Sequence, residues 1–157
     1  MADKAQDHFM QGLTYRQDQD YDRAIAEFTE ALRIDPNYEE ALEERGKTYE
    51  NLGDFQKAIS DFSEAIRLNP NIPGIFLFRA DCWMKMQDFD KALSDFEEAI
   101  LREPNVTMGY LGKATVHCTK NKPHDALAEC ERALRIIPND HYTLNLIQEI
   151  KKVFGMQ

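Results

Sequence analysis

Ala24, Phe28 and Ala31 lie four and three residues apart, the spacing that puts side chains on one face of a helix, and Pro36 closes the run. The pattern returns as Ala58, Phe62, Ala65 and Pro70, then as Ala92, Phe96, Ala99 and Pro104, then as Ala126, Cys130, Ala133 and Pro138. The shift is 34 residues each time. Upstream, a second set of positions repeats in register: Gly12 and Tyr15, Gly46 and Tyr49, Ala80 and Trp83, Ala114 and His117. A fixed period of this length predicts a stack of identical helical units.

Each column has a physical role. The small residues Gly12, Gly46, Ala80 and Ala114 let the first helix of a unit approach the second, and Ala24, Ala58, Ala92 and Ala126 do the same from the other side. Tyr49, Phe62, Trp83 and Phe96 fill the space between helix layers. "GDF" at Gly53 and "QDF" at Gln87 predict an inner turn with Asp as N-cap. Each unit's proline ends its second helix and starts the next repeat.

In period, turn and columns the chain resembles the tetratricopeptide repeat, a helix-turn-helix unit. The resemblance covers Ala5 to Asp140 and implies an all-α fold, a right-handed α-solenoid of nine helices. It implies one domain over 1–157, with units 5–38, 39–72, 73–106 and 107–140 and a capping helix 141–154. It also implies that the first helices line a concave groove. Departures cluster at the ends. His8 stands where the family has a large apolar residue, and the fourth unit has His117, Cys130 and Pro123 where other units have aromatics.

The stretch "GIFLFRADCWMKM", Gly74 to Met86, is too apolar for a helix that buries a single stripe. On a helical wheel, Phe76, Ala80 and Trp83 form the core stripe, and Ile75, Arg79, Cys82 and Met86 form a second stripe toward a neighbouring helix. The remaining third, facing the groove by resemblance, holds Gly74, Leu77, Phe78, Asp81, Met84 and Lys85. The same third reads Glu40, Glu43, Glu44, Lys47, Glu50 and Asn51 in the second unit, with no apolar residue. In the fourth it reads Met108, Leu111, Gly112, Thr115, Cys118 and Thr119. The fold therefore does not require oil on this face, and an exposed apolar patch marks an interaction site. Leu77 and Met84 can equally pack on the next helix; Phe78, off both packing stripes, is the sharper candidate.

Composition narrows the function. A net charge of −9 argues against nucleic acid, which needs a basic face. From Ala5 to Val106 there are 22 acids against 11 bases, whereas from Thr107 onward five acids meet seven bases. A basic partner would favour the acidic portion. The start, "MADKAQDHFM", carries no apolar signal core, and no run is apolar enough to cross a bilayer. Cys82, Cys118 and Cys130 are an odd set without paired spacing, which points to reduced thiols and a cytoplasmic setting.

Several chemistries fail on their residues. The carboxylate clamp that related repeats use on heat-shock chaperone tails needs lysine, asparagine and arginine. The matching positions here are Phe9, Leu13, Glu44, Gly74 and Phe78 or, one unit on, Glu43, Lys47, Phe78, Met108 and Gly112. Only Lys47 has the right charge, so no such ligand is expected. His117, Cys118, His124 and Cys130 fit no compact zinc spacing, and Cys118 on the groove side would point away from His117 and Cys130. No catalytic group, metal or cofactor is expected, since the carboxylates repeat as solvated faces and no glycine-rich phosphate loop occurs.

These readings predict a non-catalytic scaffold, adaptor- or co-chaperone-like, that holds a peptide or helix in its groove. Leu77, Phe78, Met84, Met108 and Leu111 would be apolar anchors beside Asp81 and Lys47, with Glu40, Glu43, Glu44 and Glu50 orienting basic residues. The alternative is self-assembly. Phe9, Met10 and Leu13 form an apolar strip on the first helix. The closing helix carries Leu144, Ile147, Ile150 and Phe154 for inward packing and shows Tyr142, Leu146 and Val153 on another face. That second reading includes a resemblance to the chaperones of type III secretion, or to the repeat portion of a larger protein.

Overall fold

The computed structural model describes residues 2–156. Among them are nine helices and no strand: α1 (Ala2–Gln17), α2 (Tyr21–Ile34), α3 (Glu39–Asn51), α4 (Phe55–Leu68), α5 (Pro73–Lys85), α6 (Phe89–Arg102), α7 (Thr107–Thr119), α8 (Pro123–Ile136) and α9 (His141–Val153). Consecutive helices pack as antiparallel hairpins. Each odd-numbered helix also touches the odd-numbered helix of the next unit from α1 to α7. The result is a right-handed α-solenoid with first helices along one face.

The inner turns close in one way. The cap-position backbone N–H reaches back five residues, Asp20 to Tyr15 O, Asp54 to Tyr49 O, Asp88 to Trp83 O and Lys122 to His117 O. The residue before the cap has positive φ: Gln19, Gly53, Gln87 and Asn121. Only Gly53 takes this without a Cβ penalty. The predicted Asp caps are present, with side chains accepting from the backbone N–H of Lys57 and Lys91, and Asp20 does the same for Arg23. In the fourth unit Lys122 holds the cap without a side-chain bond, and Pro123 at the first helical turn sets the start instead.

The small columns are there to admit rings. A Cβ at Gly12 would fall 2.5 Å from the Phe28 ring, and one at Gly46 would fall 2.7 Å from Phe62. Phe28 and Phe62 are fully buried as a consequence. In the third unit Ala80 occupies that column. There the Phe96 ring lies against Gly112 on the next unit's first helix, where a Cβ would be 2.3 Å away.

A second set of contacts repeats with the same period. The guanidinium of Arg45 donates to both carboxylate oxygens of Asp61, at 2.8 and 2.7 Å, and to Thr29 Oγ1 of the preceding unit. Arg79 does likewise with Asp95 and Ser63 Oγ. Lys113 bridges Glu129 at 3.2 Å and Glu97 at 3.3 Å. Asp61, Asp95 and Glu129 are buried, so each cation satisfies an acid that could not stand alone in the core. In the first unit Gln11 replaces the cation, and Glu27 is met by His8 Nδ1 at 2.6 Å. His8, out of place as an apolar residue, therefore has a polar partner.

Three packing expectations need correction. Met86, assigned to a buried stripe, ends α5 and is exposed. Leu146 turns inward with Ile147, Ile150 and Phe154 against the fourth unit. Phe9 is not open on the first helix; its ring sits 5.9 Å from Phe28 and 5.0 Å from Tyr38, which folds back from the end of the first unit. Leu13 is half-buried, so of the two terminal strips Met10 (52% exposed), Tyr142 (67% exposed) and Val153 (76% exposed) remain open.

Candidate protein-binding groove

The groove between first helices holds two adjoining cavities. One, about 430 Å3, lies between α5 and α7 and is lined by Leu77, Asp81, Phe96, Met108, Leu111, Gly112, Thr115 and Tyr142. The other, about 440 Å3, reaches toward α3 and is lined by Glu50, Asp81, Met84, Lys85, Phe96, Gly112 and Thr115. Cavities of this size accept one or two side chains of a ligand. The first is mainly apolar in its residues, whereas the second brings in two acids and one lysine.

The charges are under pressure. Asp81 keeps one side open to water but lies deep enough that burial pushes its carboxyl above the ordinary value, with Lys85 pulling against. Burial also pushes Glu50 up, the charge of Asp81 adds to this, and Lys85 and Lys47 oppose it. Beneath them Cys82 is fully buried, and burial together with Glu50 and Asp81 pushes its thiol up to about 12. Such a thiol does not act as a nucleophile at neutral pH.

The structure sorts the sequence candidates into two groups. Leu77, Asp81, Met84, Met108, Leu111 and Glu50 come together around the cavities. Met108 is 59% exposed at the rim, while Leu111, expected as a groove anchor, is 7% exposed and belongs mainly to the core of the fourth unit. Phe78 is corrected more sharply. Its ring stacks on Phe62 at 5.8 Å between centroids and 23° between planes, and it packs against the core of the second unit. It is a packing residue with a groove-facing edge. Lys47 Nζ stands 4.5 Å from the centroid of that ring and pairs with Glu43 at 2.5 Å and Glu44 at 3.0 Å. Arg16 takes the other Glu44 oxygen at 2.9 Å. Glu43 and Glu44 are therefore committed to internal cations, contrary to their expected role of steering a partner; Glu40 is exposed.

Gly112, Thr115 and Phe96 had not been singled out as site residues. The wheel places Gly112 and Thr115 on the groove face, yet a small residue carries no chemistry of its own to attract notice. The available signal was the contrast within a column, glycine following Phe78 one period later. Cys118, expected to point away from Cys130, instead packs against the same fourth-unit core. Among the described residues no three His, Cys, Asp or Glu come together as metal ligands, and no helix is long and apolar enough to cross a membrane.

Comparison with known proteins bears on the repeats. A family model described as TPR repeat matches residues 12–53, and models described as tetratricopeptide repeat match 39–72 and 79–141. No curated protein sequence matches at a significant level. Among solved structures, the MamA protein superposes with a TM-score of 0.89 at 20% identity, covering 99% of this chain and 85% of that one. MamA from residue 41 onward of Desulfovibrio magneticus RS-1 gives 0.87 at 18% identity over 98% and 86% of the two chains. The first TPR of Spaghetti (RPAP3), bound to the HSP90 peptide SRMEEVD, gives 0.68 at 23% identity over 74% and 93%. At these identities the likeness is one of fold.

Proposed function

Because the chain belongs to the tetratricopeptide-repeat family, whose units are generally non-catalytic protein–protein interaction scaffolds, we propose that it holds a segment of a partner protein in the first-helix groove. The observation that supports this reading is the pair of adjoining cavities over α5 and α7, apolar at Leu77 and Met108 and acidic at Asp81 and Glu50. The scaffold is preorganised by the ladder of repeated ion pairs, Arg45–Asp61, Arg79–Asp95 and Lys113–Glu129, so the ordering cost falls on the partner. The apolar part supplies affinity and the acids favour a basic segment.

A photo-crosslinking residue at Met108, on the groove rim, tests it against the same residue at Leu101, exposed on α6. Both chains are offered to cell extract. A partner captured from Met108 and not from Leu101, and lost when Met84→Glu is added, supports the groove. Equal capture from both positions places binding elsewhere. A second reading, self-association through the chain ends, is favoured by exposed Met10, Tyr142 and Val153. Light scattering over a concentration series tests it: a dimer abolished by Val153→Glu or Met10→Glu supports it, and a monomer at every concentration removes it.

A further inference from the structure

The repeats supply an internal template for the ligand. At the junction of the second and third units, Phe62 of α4 is covered by Phe78 of α5, ring on ring, and Lys47 of α3 stands over the Phe78 ring. A cation over an aromatic face, with acids on its far side, is a stable arrangement in a half-wet groove. One period later Phe96 replaces Phe62, Gly112 replaces Phe78, and Asp81 replaces Lys47. The junction of the third and fourth units has lost both the covering ring and the cation.

Phe96 has moved into the place of the missing ring and is itself 2% exposed, so the open volume lies beside it, against Leu77 and Met108. Phe96 leans toward Gly112, but both cavities open at this point, and Asp81, Phe96, Gly112 and Thr115 line the two of them. The charge has reversed as well as disappeared. Asp81 faces Glu50 across the second cavity with Lys85 beside them, and both acids are held above their ordinary pKa by burial. Two crowded carboxylates with one lysine form a site that gains by receiving a positive charge.

We propose that the cavity at Gly112 is a subsite for an aromatic side chain of a partner protein, with a lysine or arginine nearby in the same segment pairing with Asp81. As Phe78 and Lys47 do within the chain, the ligand's ring and cation sit together over one junction, here beside the buried Phe96 and with the cation on the ligand. The inference rests on the groove reading above and adds the identity of the anchor to it. Leu77 and Met108 form apolar walls for the ring, and Asp81 and Glu50 receive the cation.

The test is selection from a random-peptide display library on the immobilised full chain. Selected peptides are then measured against Thr115→Phe and Asp81→Lys. Thr115 is exposed and borders both cavities, so phenylalanine there fills the subsite from the scaffold side. Expected peptides carry Phe, Tyr or Trp within a helical turn of Lys or Arg. Either variant should weaken them by at least about tenfold, as loss of a hot-spot contact does. Exchanging the peptide's basic residue for Glu should restore binding to Asp81→Lys, a rescue that a folding defect would not allow. If Thr115→Phe fails to fold by circular dichroism, the Asp81→Lys charge exchange decides alone. Peptides that lack the aromatic–basic pair and ignore both variants, yet are lost on Met84→Glu, overturn the subsite and leave the groove standing. Peptides indifferent to all three changes, or no binders at all, overturn the groove reading as well.

Discussion

Two columns of the first helices age differently along the array. The column of Arg45, Arg79 and Lys113 makes one contact three times over, each cation reaching a buried acid of its own unit and a polar group of the unit before. The column of Met10, Glu44, Phe78 and Gly112 never repeats itself. Its members are respectively exposed, ion-paired, stacked in the core and a bare backbone beside a cavity. What recurs with the period holds the units in register. What varies against an unchanged frame is free to recognise something.

That contrast can be broken by measurement. The largest expected effect is on the ladder. Arg79→Ala leaves Asp95 buried without its cation, and chemical denaturation should show a loss of roughly 3–5 kcal/mol. A loss below about 1 kcal/mol, the range of surface pairs, would mean that the ladder is decoration. Next comes Phe78→Ala, which removes a half-buried ring stacked on Phe62 and should cost about 2–4 kcal/mol. A stability unchanged by this substitution would return Phe78 to the exposed groove face. Smaller is Asp81→Asn. Burial favours the neutral carboxyl, so the native chain binds this proton more tightly than the unfolded one, and the penalty is present at neutral pH. It fades as pH falls through the raised value. The asparagine variant should therefore melt higher than the parent at neutral pH, with the gain shrinking in acid. An equal gain at every pH would assign it to packing. The smallest effect is at the inner turns. Asp54→Ala removes an exposed cap and should lower the melting temperature slightly, without touching groove binding.

The frame was legible because its signals are local or periodic. The prolines after α2, α4, α6 and α8, the Asp caps at the inner turns and the small columns each follow from backbone sterics, and the period repeats them. The ladder was harder to see. Arg45 and Asp61 lie 16 residues apart on different helices, and no wheel of one helix shows that pair. The periodic recurrence of Asp61, Asp95 and Glu129 beneath Arg45, Arg79 and Lys113 was the available clue. The groove was read in direction and missed in depth. A wheel gives the angle at which Phe78 or Leu111 leaves its helix. It does not give how far a neighbouring unit rises to meet it, and both residues met a core. Glu43 and Glu44 failed for a related reason, since Arg16 and Lys47 arrive from positions whose reach only the packed structure fixes.

The burial of the thiols makes the array a recorder of its own breathing. Cys82 on α5 and Cys130 on α8 are enclosed, with burial raising the first thiol to about 12 and the second to about 11. Cys118 on α7 is half-buried, and burial raises it too. Alkylating reagents attack thiolate that they can reach, so Cys82 and Cys130 become reactive chiefly when their helices part from their neighbours. Cys118 is the most accessible of the three in the closed form. An alkylation time course followed by peptide mass analysis thus yields separate opening free energies for the third and fourth units, on native protein and without a dye or a mutation.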